Sequence, residues 1–412
     1  MKIDRPPATL LLGHFPRIVV PVARCLSGKG IPVYGACFSG EGASIKTKAL
    51  EGYLTLEHPD DSLDAFCESL LGAVDRYGID TVVPVGDGAL SALAACDDVL
   101  GERILRMYPD KERARSVLDK SGTLAVAERL GVPMPRTLYI RADEEPESWI
   151  ENLHFPVVVK PSDRGRPSPV RIRYFNRHSE LQDFLNAHSA WGTEWMVQEY
   201  VPGSGVGVEV LMDRGRPVTI FQHRRLKELP RSGGVAVRCV SERPDPVLRS
   251  YAVELLKALE WQGLAMVEMR YDAASGRAAL MEINGRCWGS IGLPIQCGVA
   301  FPYYAWQLLH GKEPEIPDSY PVGQRMRWLG GDLRRLPELF SGVTQGEVSL
   351  ASAAKDVGTF GADFVNSTRD ALWAWRDVQP AWQNLSTSSA LVARQVGRKA
   401  LKVFASKRPG SA

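Results

Sequence analysis

Met266-Val-Glu-Met-Arg-Tyr-Asp-Ala-Ala-Ser-Gly-Arg-Ala-Ala-Leu-Met-Glu-Ile-Asn-Gly-Arg-Cys-Trp-Gly-Ser290 is the stretch on which the reading of this chain turns. Two runs of apolar or alternating character, Leu264 to Tyr271 and Arg277 to Ile283, flank the turn-forming Asp272-Ala-Ala-Ser-Gly276. That arrangement is the signal of an antiparallel hairpin. Folding the second run back brings Glu268 opposite Met281 and Glu282. Side chains alternate across a strand, so Glu282 and Asn284 share a face, and Glu268 joins them from the neighbouring strand when the register matches. Two carboxylates and one amide oxygen then converge on a point. Hard oxygen ligands in that number suit Mg²⁺ (or Mn²⁺), with water and phosphate oxygens completing the shell. Arg286, just past the strand, can grip a phosphoryl oxygen in fork geometry. Read alone, Glu-x-Asn is short, and a half-buried hairpin with solvent-facing acids accounts for it equally well.

The chain has 412 residues, 44% hydrophobic and 24% charged, an ordinary globular composition with length for two or three domains. Its 50 Lys and Arg against 48 Asp and Glu leave a formal charge of +2, so the balance calls for no nucleic acid. The seven cysteines are odd in number and contain no Cys-x-x-Cys pair, which predicts reduced thiols and no zinc site. Met1-Lys-Ile-Asp-Arg-Pro-Pro lacks a signal-peptide pattern, and no apolar run approaches the roughly 18 residues of a membrane-spanning helix. A cytoplasmic location is the expectation.

Strands and helices alternate over residues 1–107: strand Ala8 to Leu12, helix Ile18 to Ser27, strand Ile31 to Ala36, helix Leu63 to Tyr77, strand Asp80 to Val85 and helix Ala89 to Ala95. This pattern predicts a parallel sheet with helices on its faces. The first strand-to-helix turn, Gly13-His-Phe-Pro-Arg17, is not a Gly-x-Gly-x-x-Gly loop. His14 in that turn and Asp87 in Gly86-Asp-Gly88 fall at the carboxyl ends of strands, where open α/β sheets bind ligands, although both also suit plain turns. Helices Lys111 to Leu118 and Gly122 to Leu130 follow, with Lys120 between them. Phe155-Pro-Val-Val-Val-Lys160 is an apolar strand carrying a lysine, whose ammonium is suited to phosphates. Trp195 to Val201 is a strand whose backbone suits an adenine ring while Glu199 accepts from base or ribose. A β region from Gly205 to Val240 turns at Asp213-Arg-Gly-Arg216 and then carries the basic run Gln222-His-Arg-Arg-Leu-Lys-Glu228.

The collinear series Asp119-Lys120, Val157-Val-Val-Lys160, Gln198-Glu-Tyr-Val201, Gly207-Val-Glu209, Glu268 and Glu282-x-Asn284-x-Arg286 resembles the ATP-grasp superfamily over roughly residues 8–312, in the pattern of biotin carboxylase, carbamoyl phosphate synthase and D-alanine:D-alanine ligase. The resemblance implies a fold of mixed α/β and α+β class. In it, an α/β domain at 1–107 precedes an ATP-grasp domain at 108–312, with a small lid at about 140–203 and a metal-binding part at 204–312. It further implies that Lys120 and Lys160 hold ATP phosphates, that Gln198, Glu199, Tyr200 and Val201 read adenine and ribose, and that Glu209 and His223 lie near ribose or phosphates. Glu268, Glu282 and Asn284 match the Mg²⁺ ligands, and Arg286 the arginine at the reacting phosphoryl group. The loop after Lys160 departs from the family, with one glycine and the arginines Arg164 and Arg166 where relatives have several glycines.

The activity implied is a ligase that activates a carboxylate as an acyl phosphate and captures it with an amine. Phosphate transfer to a hydroxyl, carbamoyl or carboxyl phosphate formation, and a non-catalytic ATP-binding regulator remain as alternatives. His14, Asp87, Arg224, Arg225 and Lys227 are the candidate substrate contacts, the arginines and lysine because their charge suits a carboxylate. Beyond residue 312 a mainly helical extension is expected, with tryptophans at helical spacing over Thr368 to Trp382 and Pro380 interrupting them. Ala390 to Ala405 carries Arg394, Arg398, Lys399 and Lys402 beside apolar residues. Such a basic amphipathic segment suits weak contact with an anionic membrane surface, or packing against the rest of the chain. Nothing in the sequence points to an oligomeric state.

Overall fold

Strand β1 (Ala8–Leu12) is buried at every position and sits at the centre of a sheet of five strands. β2 (Val33–Phe38), β3 (Gly52–Leu56), β4 (Ile79–Pro84) and β5 (Leu105–Arg106) complete it in the order β3-β2-β1-β4-β5, every pairing parallel. Helices α1 (Pro16–Ser27), α2 (Leu63–Tyr77) and α3 (Asp87–Ala95) cover its faces, as the alternating pattern predicts. The computed structural model describes residues 7–42, 44–140, 152–162, 172–188, 195–231, 233–366 and 368–406, and side chains as far as 396. The loop carrying Arg164 and Arg166 lies outside the described residues.

One expectation about this domain is corrected. Cys67 of α2 and Cys96, which follows α3, form a disulfide with Cα atoms 6.0 Å apart. Both belong to the apolar cluster that holds Phe66, Leu70, Leu90 and Leu93, and spacing along the chain gives no sign of such a meeting. The other five cysteines are free.

Past the short helix α4 (Asp97–Leu100), α5 (Lys111–Leu118) and α6 (Lys120–Arg129) join the first sheet to the rest. The Asp119 carboxylate caps α6, accepting from the Ser121 and Gly122 amides at 2.9 and 3.4 Å. A four-stranded antiparallel sheet follows, of β6 (Thr137–Ile140), β7 (Val157–Pro161), β8 (Arg173–Phe175) and β9 (Trp195–Glu199), packed on α7 (His178–His188). Its order is β6-β9-β7-β8.

The large sheet runs β14-β13-β10-β11-β12-β15-β16. Its long members are β10 (Ser204–Asp213), β11 (Arg216–Leu229), β12 (Val235–Glu242), β13 (Gly263–Asp272) and β14 (Arg277–Asn284). Helices α8 (Pro246–Ala258), α9 (Gly292–Gln296) and α10 (Phe301–Leu309) lie against it or against α1. The sequence beyond residue 312, read as an extension, supplies the last two strands, β15 (Arg325–Arg327) and β16 (Arg369–Asp370), before and among helices α11 (Leu329–Thr344), α12 (Leu350–Ala362) and α13 (Gln379–Ser406).

Two C-terminal expectations change. Trp373 and Trp375 lie in a turn rather than on a helix, because the Asp370 carboxylate accepts from the amides of Leu372 and Trp373 at 2.8 and 2.9 Å and holds the chain in a local turn. Pro380 is the second residue of α13, where its missing N–H costs nothing, so it opens a helix instead of interrupting one. Among the described residues no helix is long and apolar enough to cross a membrane.

Candidate active site

Strands β13 and β14 pair with Glu268 directly opposite Glu282 and Met266 opposite Asn284. The next pair after Glu268 and Glu282 is Met269 with Leu280, so Met281 is an extra residue bulged out of the ladder. Met281, Glu282, Glu268 and Asn284 all line one cavity of about 390 Å³. Asn284 Nδ2 donates to Glu282 Oε1 at 3.3 Å, which leaves the amide oxygen directed away from that bond. Glycine follows Asn284 because the Trp261 indole is packed against it. A Cβ at Gly285 would lie 2.3 and 2.6 Å from two ring carbons and 2.8 Å from Val117. Gly285→Ala is therefore expected to destabilise the fold by about 1–3 kcal/mol through overpacking, read as a lower urea midpoint at unchanged slope.

The metal-side acids are crowded. Glu268 is half-buried, its side chain 16% exposed to the cavity; burial pushes its carboxyl above the ordinary value, the Arg225 guanidinium it touches pulls it down, and Glu282 pushes it up again. Arg225 also donates to Glu228 at 3.2 Å and to the Gly234 carbonyl at 2.8 Å. Burial alone would lower its pKa, but Glu268 and Glu228 raise it. Arg286 is gripped in a fork by Asp87, Nε to Oδ1 at 3.1 Å and Nη2 to Oδ2 at 3.2 Å, and so ties the hairpin to the first turn of α3. Asp87, expected as a substrate contact, is the partner of Arg286 in the cavity wall.

The lysines enter from the other side. Lys120, which read alone suits an exposed position, is only 6% exposed, and its Nζ donates to the Pro161 carbonyl at 3.2 Å. Lys160, 7% exposed, lies two residues from Val158 on the face of β7 that lines the cavity. Gln198 through Val201 line it too. Gln198 is fixed by Thr137 Oγ1 at 2.8 Å, and the Glu199 carboxylate accepts from the His154 amide at 3.0 Å. Arg270 reaches the Tyr200 hydroxyl at 3.2 Å and the Val201 carbonyl at 3.3 Å, and pairs with Glu228.

Five expected residues do not line the cavity. His14 stacks on Phe15 and bonds Glu41 at 3.1 Å. Glu209 and His223 are wholly buried beneath the site, 2.8 Å apart, where burial raises the Glu209 carboxyl against the pull of His223. Arg224 faces away and pairs with Glu242, because it alternates with Arg225 along β11. Lys227 would share the face of Arg225, but the register slips between them and its ammonium meets Asp356 of α12. Sequence reasoning missed Glu228, Arg270 and Arg17. Arg270 was legible as the residue two beyond Glu268 on one strand, and Arg17 as the last residue of the His14 turn; Glu228 gave no signal of its own.

Residues 192–331 match the family described as "ATP-grasp in the biosynthetic pathway with Ter operon". The chain is also 30% identical over 214 residues to a D-alanine–D-alanine ligase of Acidiphilium cryptum (strain JF-5), covering 48% of this chain and 68% of that protein. The chain belongs to the ATP-grasp family. A second relative is the D-aspartate ligase of Enterococcus faecium (strain Aus0004), 24% identical over 295 residues, 66% of this ATP-grasp chain and 70% of that one. The fold is similar to the crystal structure of an L-amino acid ligase from Bacillus licheniformis, with a TM-score of 0.57 and 16% identity over 74% of each chain.

Among the described residues no three His, Cys, Asp or Glu side chains are grouped to hold a metal. Two carboxylates, Glu268 and Glu282, and the amide of Asn284 line this ATP-grasp site. Three oxygen donors of this kind suit a cation that takes its remaining ligands from water and phosphate. Two acids held face to face with one carboxyl pushed upward is a place where a divalent cation relieves repulsion, so the residues fit Mg²⁺.

Proposed function

We propose that this protein is an ATP- and Mg²⁺-dependent ligase that activates a substrate carboxylate as an acyl phosphate and joins it to an amine, releasing ADP and phosphate. The observation that carries the reading is the single cavity lined by Lys120, Lys160, Glu268, Glu282, Asn284 and Arg286, which come from four separate elements and the loop after β14. The ligases among the relatives support it. Glu268, Glu282 and Asn284 would hold Mg²⁺, which when bound neutralises charge on the phosphates.

The chain's own residues do the rest by position and charge. Lys120 and Lys160 hold the phosphate chain from the lid side. Gln198 to Val201 take the adenine and ribose, with Val158 and Met281 supplying apolar surface. A carboxylate oxygen attacks the γ-phosphorus in line as the bond to ADP breaks, and Arg286, held in orientation by Asp87, stabilises the charge on the transferring group. The amine then attacks the acyl carbon and expels phosphate, passing its proton to solvent or to that phosphate. The site needs no covalent bond to the enzyme.

Hydroxylamine supplies the test. With Mg-ATP and pooled small carboxylates, ADP release accompanied by a hydroxamate is the expected result. Phosphate transfer to a hydroxyl compound, with no hydroxamate from any carboxylate, would favour a kinase instead.

A further inference from the structure

The arginines of the cavity wall are matched by acids, with one exception. Arg225 is paired with Glu268 and Glu228, Arg270 with Glu228, and Arg286 with Asp87. Arg17, in the first turn of α1, lines the same cavity and has no carboxylate partner among the described residues. Its Nη1 donates to the Ala236 carbonyl at 3.2 Å, and its guanidinium carbon stands 4.9 Å from the Trp328 ring centre. Those contacts fix the group but do not neutralise it. Burial, and then the like charges of Arg225, Arg286 and Arg334, hold its pKa down to about 10, so it remains a cation at neutral pH, while the cavity's acids at Asp87, Glu228 and Glu268 are paired with other arginines.

The wall opposite is cut to fit this side chain. A Cβ on Gly289 would lie 2.8 Å from Arg17 Cζ and Nη2 and 3.1 Å from Nη1. Only glycine there lets the guanidinium rest against the chain just beyond Arg286. The lysines for the phosphates come from α6 and β7 on the lid side, whereas Arg17 comes from the N-terminal sheet, at the carboxyl end of β1.

We propose that Arg17 binds a carboxylate that the reaction leaves intact, so that one of the two substrates is an amino acid or a dicarboxylic acid whose second carboxylate persists in the product. A planar fork of N–H donors is matched to such a group, and a half-buried guanidinium that has lost part of its water gains from it. The inference rests on the ligase reading and narrows it.

The experiment is steady-state ADP release by the full chain with Mg-ATP. Amino acids are compared with their carboxamides, and succinate and glutarate with their monoamides, each with and without an amine or carboxylate partner. Wild type should prefer the free acid over the amide about 10- to 100-fold in kcat/KM. Arg17→Met should raise KM for that acid by a similar factor, leave KM for ATP unchanged, and erase the preference for acid over amide. Gly289→Ala should do the same with Arg17 still present, and decides the matter if Arg17→Met does not fold. The arm that responds tells an amino acid from a diacid. A folded Arg17→Met enzyme with unaltered KM and unaltered acid preference overturns the role of Arg17 and leaves the ligase standing. Wild type that releases no ADP with any acid and amine overturns the ligase reading, and this one with it.

Discussion

Glu282→Gln is expected to lower Mg-ATP turnover by about 10³-fold while leaving the fold in place. The amide keeps the size of the side chain and can still accept from Asn284 Nδ2, so the packing of β14 is preserved. What it loses is the charge. Glu282 stands directly across from Glu268, whose carboxyl is already pushed up by burial and by this neighbour. Without Mg²⁺ the variant should therefore be as stable as wild type or more so, since one of two crowded carboxylates is gone. Added Mg²⁺ should raise the melting temperature of wild type, because a cation bound only to the folded state stabilises it, and should leave the variant unmoved. Equal Mg²⁺ shifts in both proteins would contradict the assignment of Glu282 as a ligand.

Arg286→Met should cost about 10²- to 10³-fold in kcat with KM for ATP little changed, as befits a charge that acts on the transferring group. Its partner gives the control. Asp87 lines the cavity as well, and its two oxygens fix the guanidinium. Asp87→Asn should cost about tenfold, the usual penalty for loosening a group that orients another. In the double variant the two losses should not add, since the Asp87 effect passes entirely through Arg286. Additive losses would place Asp87 in contact with substrate, the role that its position at a strand end suggests from sequence.

The difference between those two readings of Asp87 shows where the sequence runs out. A short apolar run located β1, which is buried on both faces, the 3.6-residue period located α2, which buries one, and the turn residues at Asp213 to Arg216 and Asp272 to Gly276 located the two hairpins. The faces of Glu282 and Asn284 were legible from strand alternation. Pairings between distant segments were not. Nothing local to Asp87 announces Arg286, 199 residues away, and nothing local to Cys67 announces Cys96. Lys227 was lost to a register slip that places it on Asp356, and slips leave no trace in composition. Trp373 and Trp375 sit at helical intervals, yet Asp370 captures the local amides and spoils the helix, a competition between a side chain and the backbone ladder that spacing does not encode. Nothing in the turn Gly13 to Arg17 marks Arg17, rather than His14, as the residue that faces the site. The cavity separates Arg17, without a carboxylate partner among the described residues, from the arginines that have one.

The fate of one oxygen tests whether a substrate carboxylate attacks the γ-phosphorus. A carboxylate substrate labelled with heavy oxygen is incubated with Mg-ATP, the amine and the full chain, and the released phosphate is examined by mass spectrometry. The account predicts one labelled oxygen in each phosphate, because the acyl phosphate breaks between carbon and oxygen when the amine attacks. Unlabelled phosphate, with the label retained in the product, would contradict it.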